Sequence, residues 1–155
     1  MEEKQTLPDS RPPTPYHIWD GGEWILPEDV RETARYWAAE EKVEEIKHKR
    51  YENRRGGVYV KSVGKWFHST DEARAQYTFM RTLPVLPPDL TWETMDGSSV
   101  HLTRQLLDEL SLKISLDEEK DFDNAKRHKA LVRESQEPWN YDYSGGWLEI
   151  YKEES

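Results

Sequence analysis

The pattern of apolar and polar positions along the chain predicts three helices. The first is predicted over residues 27–55, because Pro27 suits a first helical position, acids fill the first turn and bases fill the last. Gly56 and Gly57 end it. The apolar positions that share one face of this helix are Val30, Ala34, Trp37, Ala38 and Ile46. We expect that face to be buried.

A capping signal opens the second helix. Ser69 and Glu72 have the spacing of a capping box, in which each side chain satisfies a backbone N–H group of the first turn. A short helix is therefore predicted over residues 72–83. Pro84 follows directly and ends it.

The third helix is the longest. Thr103 caps it, and the helical pattern runs over residues 104–135. The apolar positions on one face are Leu107, Leu110, Ile114, Phe122, Ala125 and Val132. A second capping box, Ser115 with Glu118, would split the segment into two helices, but we expect one continuous helix.

Three segments alternate around turn residues and predict antiparallel β-hairpins. They are residues 16–26, 57–69 and 90–103. The first, YHIWDGGEWIL, turns at Asp-Gly-Gly and carries large apolar groups on both faces, so we expect both faces to be covered. The second is expected to turn near residues 62–64.

The register of the third hairpin has two alternatives. A two-residue Asp-Gly loop would pair Trp92 with His101 and mix apolar and polar side chains on each face. A three-residue loop at residues 96–98 would instead pair Trp92 with Leu102. We prefer the longer loop, because it leaves Glu93 beside His101 on the opposite, solvated face.

The two ends of the chain differ from its middle. Residues 1–15 contain four of the nine prolines and predict a flexible, extended arm. Residues 138–155 are rich in Trp and Tyr and predict an aromatic β tail. Between them lie an aromatic hairpin, residues 16–26, and a central domain, residues 27–137. Together the elements predict an α+β fold, in which small antiparallel β-hairpins pack with three α-helices around an aromatic-rich core.

Composition narrows the classes of function. The chain of 155 residues carries seven Trp, eight Tyr and a formal net charge of −9, which argues against binding nucleic acid phosphates. It has no cysteine, which excludes disulfides and thiolate zinc sites. No apolar run approaches the roughly 20 residues of a membrane span. We therefore expect a cytoplasmic protein that binds neither nucleic acid nor membrane.

No constellation of residues predicts catalysis. The five histidines fall on five different predicted elements, without a paired metal-binding spacing. The acidic run DEEKDFDN lacks the central glycine of a calcium loop. Glu93 beside His101 on a solvated strand face is typical of a cross-strand contact and not of an acid–base pair. We expect a protein that is not an enzyme and has no cofactor and no metal.

The middle of the chain resembles a known family. The segments GGVYV, KWFHSTDEA and LTWETMDGSSVHLT, set between helices, are similar to a domain of unknown function of bacteriophage and prophage tail genes, often in proteins called tail fibre assembly proteins. The resemblance covers roughly residues 46–135. The matching positions are Gly57, Val58, Gly64, Phe67, Thr70, Asp71, Trp92, Asp96, Gly97, Val100, Leu102 and Thr103. Each of these positions can be explained by a structural role, as a turn glycine, a helix cap or a core residue.

The resemblance implies a function in assembly. It implies a chaperone or small tail-associated protein that binds the C-terminal region of a tail fibre, in the cytoplasm of the bacterial host or retained on the virion tail. One alternative is a tail-tip component that binds surface carbohydrate or a receptor through exposed tryptophans. A second is an acidic inhibitor of a host defence protein. The oligomeric state stays open.

Six aromatic residues in the terminal segments are candidate partner-binding residues, because Trp and Tyr dominate binding hot spots. They are Trp19, Trp24, Trp139, Tyr141, Tyr143 and Trp147. Alternatively, the two terminal segments pack on each other or on the central domain. Packing and partner binding are compatible if each terminal segment packs one face inward and exposes the other face to a partner.

Overall fold

The computed structural model describes residues 7–153; parts of the predicted arm and tail, residues 1–6 and 154–155, lie outside the described residues. The elements in chain order are β1 (Ile18–Trp19), β2 (Trp24–Ile25), α1 (Arg31–Arg54), β3 (Val58–Val60), β4 (Lys65–Phe67), α2 (Asp71–Thr82), β5 (Thr91–Glu93), β6 (Ser99–His101) and α3 (Arg104–Glu134). Each pair of consecutive strands forms a two-stranded antiparallel sheet. The predicted α+β fold is confirmed.

The chain divides into two compact units. The first contains the described residues up to Lys47 together with Lys126–Tyr143. The second contains His48–Ala125 together with the described residues from Ser144 on. The predicted division of the sequence at residues 15, 26 and 137 stays a prediction.

The second unit has a continuous hydrophobic core. Its buried members are Val58, Val60, Phe67, Ala73, Tyr77, Met80, Leu102, Leu106, Leu107, Leu110 and Ile114. The Tyr77 ring lies 5.6 Å from the Trp92 ring, between centroids. Burial raises the pKa of the Tyr77 hydroxyl to about 12, so the group stays protonated and donates to the His68 carbonyl at 2.7 Å. The two hairpins and α2 are thereby tied to one core.

The first unit has a thinner core. Its buried aliphatic side chains are Ala34, Ala38, Ala39, Val43, Ile46 and Val132. Polar contacts join α1 to the end of α3 and to the residue after it: Arg133 Nε lies 3.1 Å from Glu40 Oε1, and Arg35 Nη2 donates to the Ser135 carbonyl at 3.2 Å. Small residues let the backbones approach closely but bury little apolar area each.

The third hairpin has neither of the two predicted registers. Trp92 pairs with Val100, and the Thr94 N–H donates to the Ser98 carbonyl at 2.8 Å. The reason is Asp96, whose Oδ1 accepts from the Thr94 hydroxyl at 2.7 Å and from the Ser98 N–H at 3.0 Å. These side-chain bonds place the loop one residue earlier than predicted. Glu93 consequently lies opposite Ser99 and not beside His101.

One helix signal was interpreted wrongly. Thr70, not Ser69, caps α2, because its hydroxyl oxygen accepts from the Ala73 N–H at 3.2 Å. The continuous third helix is confirmed, and the alternative split into two helices is wrong. Ser115 does not cap a new helix; its hydroxyl donates to the Ser111 carbonyl at 3.2 Å, one turn earlier.

Three burial or strand predictions are corrected by the structure. Trp37 and Phe122 were assigned to buried helix faces, yet they are 58% and 50% exposed. The first hairpin is not covered on both faces, because Ile18 and Ile25 point to solvent. The described part of the predicted β tail forms a 3₁₀ turn, Pro138–Asn140, and then irregular chain, because no strand pairs with it.

The last segment of the chain is seated on the end of α1. The Tyr151 N–H donates to the Gly56 carbonyl at 2.9 Å. A Cβ atom added at Gly56 would meet Ile150 Cγ2 at 2.5 Å and Ile150 Cβ at 2.7 Å. The absence of a side chain at residue 56 is therefore what admits this segment.

We predict that Gly56→Ala lowers the free energy of unfolding by about 1–3 kcal/mol, because Ile150 must move away from the added methyl group. Chemical denaturation measures this. Gly145→Ala is the matched control, since a Cβ there meets nothing within 4 Å. We expect it to change stability by no more than about 0.5 kcal/mol. Equal effects of the two substitutions would show that the contact at Gly56 is unimportant.

Candidate functional site

Two adjacent aromatic side chains stand exposed near the start of α1. Tyr36 is 59% exposed and Trp37 is 58% exposed, and their rings meet edge to face with centroids 5.1 Å apart. Ala34 and Ala38 are buried, while the Trp37 ring stands at the exposed edge of the same helix face and the Tyr36 ring lies beside it. Large exposed aromatic groups on an otherwise polar surface mark interaction sites.

A groove of about 330 Å³ lies beside Trp37 in the first unit. Its lining residues are Thr14, Pro15, Tyr16, Ala34, Trp37, Ala38 and Glu41. Ala34 and Ala38 are small, which leaves the space, while Trp37 and Glu41 are one helical turn apart and stand on the same wall. We call this the α1 groove. Its chemistry is apolar with one carboxylate.

The opposite wall, residues 14–16, is held in place by Thr14. This buried hydroxyl accepts from the Tyr16 N–H at 3.2 Å and lies 2.7 Å from His17 Nδ1. The His17 ring in turn meets the Trp139 ring edge to face at 5.0 Å. Burial, and secondly the charge of Arg31, lower the pKa of His17. The neutral imidazole can accept a hydrogen bond from the Thr14 hydroxyl, which completes the turn.

The predicted partner-binding aromatics are half-buried. Trp139 supports the groove wall, and the Tyr141 hydroxyl lies 2.8 Å from His128 Nδ1. The Tyr143 ring lies under Lys42, with Nζ 5.7 Å from the centroid. Burial and the Glu45 carboxylate raise the pKa of Tyr143. The structure thus gives these three side chains contacts inside the first unit.

The remaining predicted aromatics lie apart from these. The Trp19 and Trp24 rings meet edge to face at 5.4 Å across the first hairpin. Trp24 Nε1 is buried and has no hydrogen-bond acceptor in the described chain, which costs stability. Trp147 is half-buried in the second unit. Partner binding by the six aromatic residues stays a prediction.

A charged network occupies the second unit. Arg54 binds both Asp71 and Glu118, and Arg74 Nη1 lies 3.0 Å from Glu118 Oε1. Arg74 also donates from Nε to the Ser69 carbonyl at 2.8 Å and from Nη2 to the Arg54 carbonyl at 3.0 Å. The hydrogen bonds that Arg54 donates to the carboxylates of Glu118 and Asp71 raise its pKa. Burial alone would raise the pKa of Glu118, but the bond from Arg54 and the charges of both arginines outweigh it and lower the pKa.

A second polar cluster adjoins this network. Asn53 Nδ2 donates to Asp121 Oδ2 and to the Leu148 carbonyl, both at 3.1 Å, and the Leu148 N–H donates to Asp121 Oδ1 at 3.0 Å. The cavity between the clusters measures about 20 Å³, enough for one water. With its donors and acceptors paired and little free space, this region is suited to structure and not to ligand binding.

The twelve residues that carried the family resemblance all lie in the second unit. The seven of them predicted as its structural motif are Gly57, Phe67, Asp71, Trp92, Asp96, Gly97 and Thr103. Phe67 is fully buried, and the Thr103 hydroxyl oxygen accepts from the Leu106 N–H at 3.1 Å. Gly57 has φ of +103° and its N–H donates to the Ser69 hydroxyl oxygen at 2.9 Å, so a turn is placed there that other residues rarely adopt.

A family model, described as a domain of unknown function (DUF4376), matches residues 38–145. The chain belongs to this family. The match includes all of the second unit up to Ala125, but begins after Trp37. The DUF4376 region therefore contributes Ala38 and Glu41 to the α1 groove, while the exposed aromatic pair precedes it. No curated protein and no solved structure matches the chain.

A further groove, of about 440 Å³, lies in the DUF4376 region. It is lined by His68, Thr70, Glu72, Ala73, Gln76, Trp92 and Glu93. Within residues 7–153, no three His, Asp or Glu side chains are grouped closely enough to hold a metal ion. No helix in that range is long and apolar enough to cross a membrane.

Sequence reasoning missed Tyr36 and Trp37 as candidate site residues. The helical pattern placed Trp37 on the buried face because it lies next to Ala38 and three residues after Ala34. The small size of Ala34 and Ala38 is the sequence signal that could have identified Trp37. Two alanines let the helix backbone pack closely against its neighbour, so a large ring beside them stays outside the packed interface.

We predict that Trp139→Ala raises the pKa of His17, because burial is the largest cause of its lowered value and Trp139 covers the ring. NMR titration of the His17 ring, assigned with His17→Gln, measures the change. Phe79→Ala is the control, since Phe79 is an exposed aromatic residue of the other unit. An unchanged His17 titration in Trp139→Ala would contradict the proposed wall contact.

We predict that Glu118→Gln lowers the free energy of unfolding by about 1–2 kcal/mol at neutral pH, because two arginines lose a charged acceptor. The difference from the parent protein should vanish in acid. The stabilisation is present above pH 4.5, the ordinary pKa of Glu, and is lost as pH falls through the lowered pKa. Asp108→Asn, which breaks the exposed pair with Arg81, should cost under about 0.5 kcal/mol. Urea denaturation at several pH values distinguishes the two.

Proposed function

We propose that this protein is a non-catalytic assembly chaperone for a bacteriophage or prophage tail fibre, and that the α1 groove binds a segment of the fibre's C-terminal region. The observation that carries the proposal is Trp37, a mostly exposed tryptophan on the wall of a groove in a strongly polar chain. Exposed apolar surface of this kind is costly for a monomer and is typical of surfaces that bind a partner.

The chemistry of the groove supports binding. Glu41 and Tyr16 are the only residues lining the groove whose side chains carry an acidic or basic group. The floor is formed by alanine and the walls by proline and aromatic rings, which suit apolar side chains of an extended segment. Such a surface can cover another protein without changing it covalently.

The identity of the partner rests on the resemblance to tail fibre assembly proteins. A fibre subunit exposes apolar surface and unpaired strand edges until its trimer forms, and these promote aggregation. A protein that binds the unassembled subunit withdraws it from aggregation by mass action. It would act in the cytoplasm of the bacterial host, where the subunit is synthesised.

Co-expression tests this function. We expect the protein to raise the yield of soluble fibre trimer from the neighbouring fibre gene, and Trp37→Ala to abolish most of the gain. A central aromatic contact contributes about 2 kcal/mol or more, so the affinity should fall by roughly 30-fold. Phe79→Ala removes an equally exposed aromatic residue from α2 and should preserve the gain.

Two results would contradict the proposal. One is an unchanged trimer yield with and without the protein. The other is equal activity of Trp37→Ala and the parent protein, which would exclude the α1 groove as the binding surface. Carbohydrate binding at a tail tip and inhibition of a host defence protein stay predictions. Capture of basic host proteins in place of a fibre would favour the inhibitor.

A further inference from the structure

Glu41 differs from the acidic residues around it on α1. Three neighbours each have a cationic partner no more than 3.9 Å away: Glu40 with Arg133, Glu44 with Lys47 and Glu45 with Lys42. Glu41 is exposed and makes no ion pair or side-chain hydrogen bond with the described part of the chain. Glu41 is one of the residues that line the α1 groove. A free negative charge therefore stands on the wall of an apolar groove.

Trp37 lies one turn before Glu41 on the same wall. The Tyr36 ring contacts Trp37 edge to face, and more than half of the Trp37 side chain stays accessible. A cation within about 6 Å of an indole face is attracted by its quadrupole. The separation of one helical turn, about 5.4 Å, is the scale over which a long cationic side chain can contact both residues.

We propose that the α1 groove recognises a cationic side chain of its polypeptide partner, arginine in preference to lysine. The guanidinium group lies over the Trp37 ring and donates to the Glu41 carboxylate, while its methylene stem lies along Pro15 and Ala38. Arginine is preferred because its planar group can stack on an indole and donate in its own plane at the same time. The formal net charge of −9 attracts a basic segment to this surface. This inference rests on the proposed function, in that the groove binds a polypeptide.

Matched peptides test the charge preference. Blocked pentapeptides with the central residue arginine, lysine or citrulline, each flanked by leucine and glycine, are titrated into the isotope-labelled protein. The shift of the Trp37 indole N–H signal, assigned with Trp37→Phe, reports binding. We expect the arginine peptide to bind about two- to fivefold more tightly than the citrulline peptide, with lysine between them. The preference should shrink in high salt.

Two variants test whether Glu41 is the carboxylate that binds the cationic side chain. Glu41→Gln should abolish the preference for arginine over citrulline. Glu44→Gln removes the same charge from a neighbouring carboxylate that already binds Lys47 and should keep the preference. Circular dichroism of both variants checks that α1 is intact. Equal binding of the arginine and citrulline peptides, or binding of neither, would overturn the inference.

The peptide and co-expression experiments fail independently. If Trp37→Ala abolishes fibre rescue but arginine and citrulline peptides bind equally, the proposed function stands and the cationic preference is wrong. If the arginine preference is measured and depends on Glu41, but fibre rescue is absent, the groove binds basic segments of another protein. In that case the assignment to a fibre is wrong.

Discussion

The arrangement of helices in the second unit depends on the contacts made by Arg54 at the end of α1. The side chain of Arg54 binds α2 through Asp71 and α3 through Glu118, while its carbonyl accepts from the Ser69 hydroxyl at 2.8 Å and from Arg74. Arg54 thus joins α1 to α2, to α3 and to the short segment between β4 and α2. The chain has little aliphatic core for its length, so polar contacts of this kind must orient its helices.

Much of the fold could be predicted from the sequence, and the errors share one cause. Proline, glycine and capping residues mark the positions where helices begin and end, so the three helices and the second hairpin were predicted correctly. The register of the third hairpin was not predicted correctly, because it depends on the hydrogen bonds that Asp96 accepts within the loop. The cap of α2 was assigned to the wrong residue, because the Ser69 hydroxyl donates to the Arg54 carbonyl and accepts from the Gly57 N–H. Apolar periodicity predicts which segments form helices and strands. It does not show which hydrogen bonds a polar side chain makes, whether within its own loop, as at Asp96, or with a distant segment, as at Ser69.

The candidate site was less accessible to prediction. The aromatic residues of the terminal segments were recognised as unusual, and the structure gives Trp139 a defined contact in the groove wall. Tyr36 and Trp37 were missed, because a helical pattern identifies which side chains share a face but not which face has a neighbour. Glu41 carries no sequence signal either, since four acidic residues surround the turn and only the structure distinguishes the paired from the unpaired carboxylates.

The two units also differ in when they can form during synthesis. The core of the second unit is contributed by residues 58–114, which leave the ribosome as one continuous stretch. The first unit can form only when its N-terminal residues and Lys126–Tyr143 have both been synthesised, because the wall of the α1 groove packs against Trp139. At translation speeds of roughly 5–20 residues per second, the groove must wait seconds after its own helix has been made. A nascent chain consequently completes the α1 groove only after residue 139 has been synthesised, later than the core of the second unit.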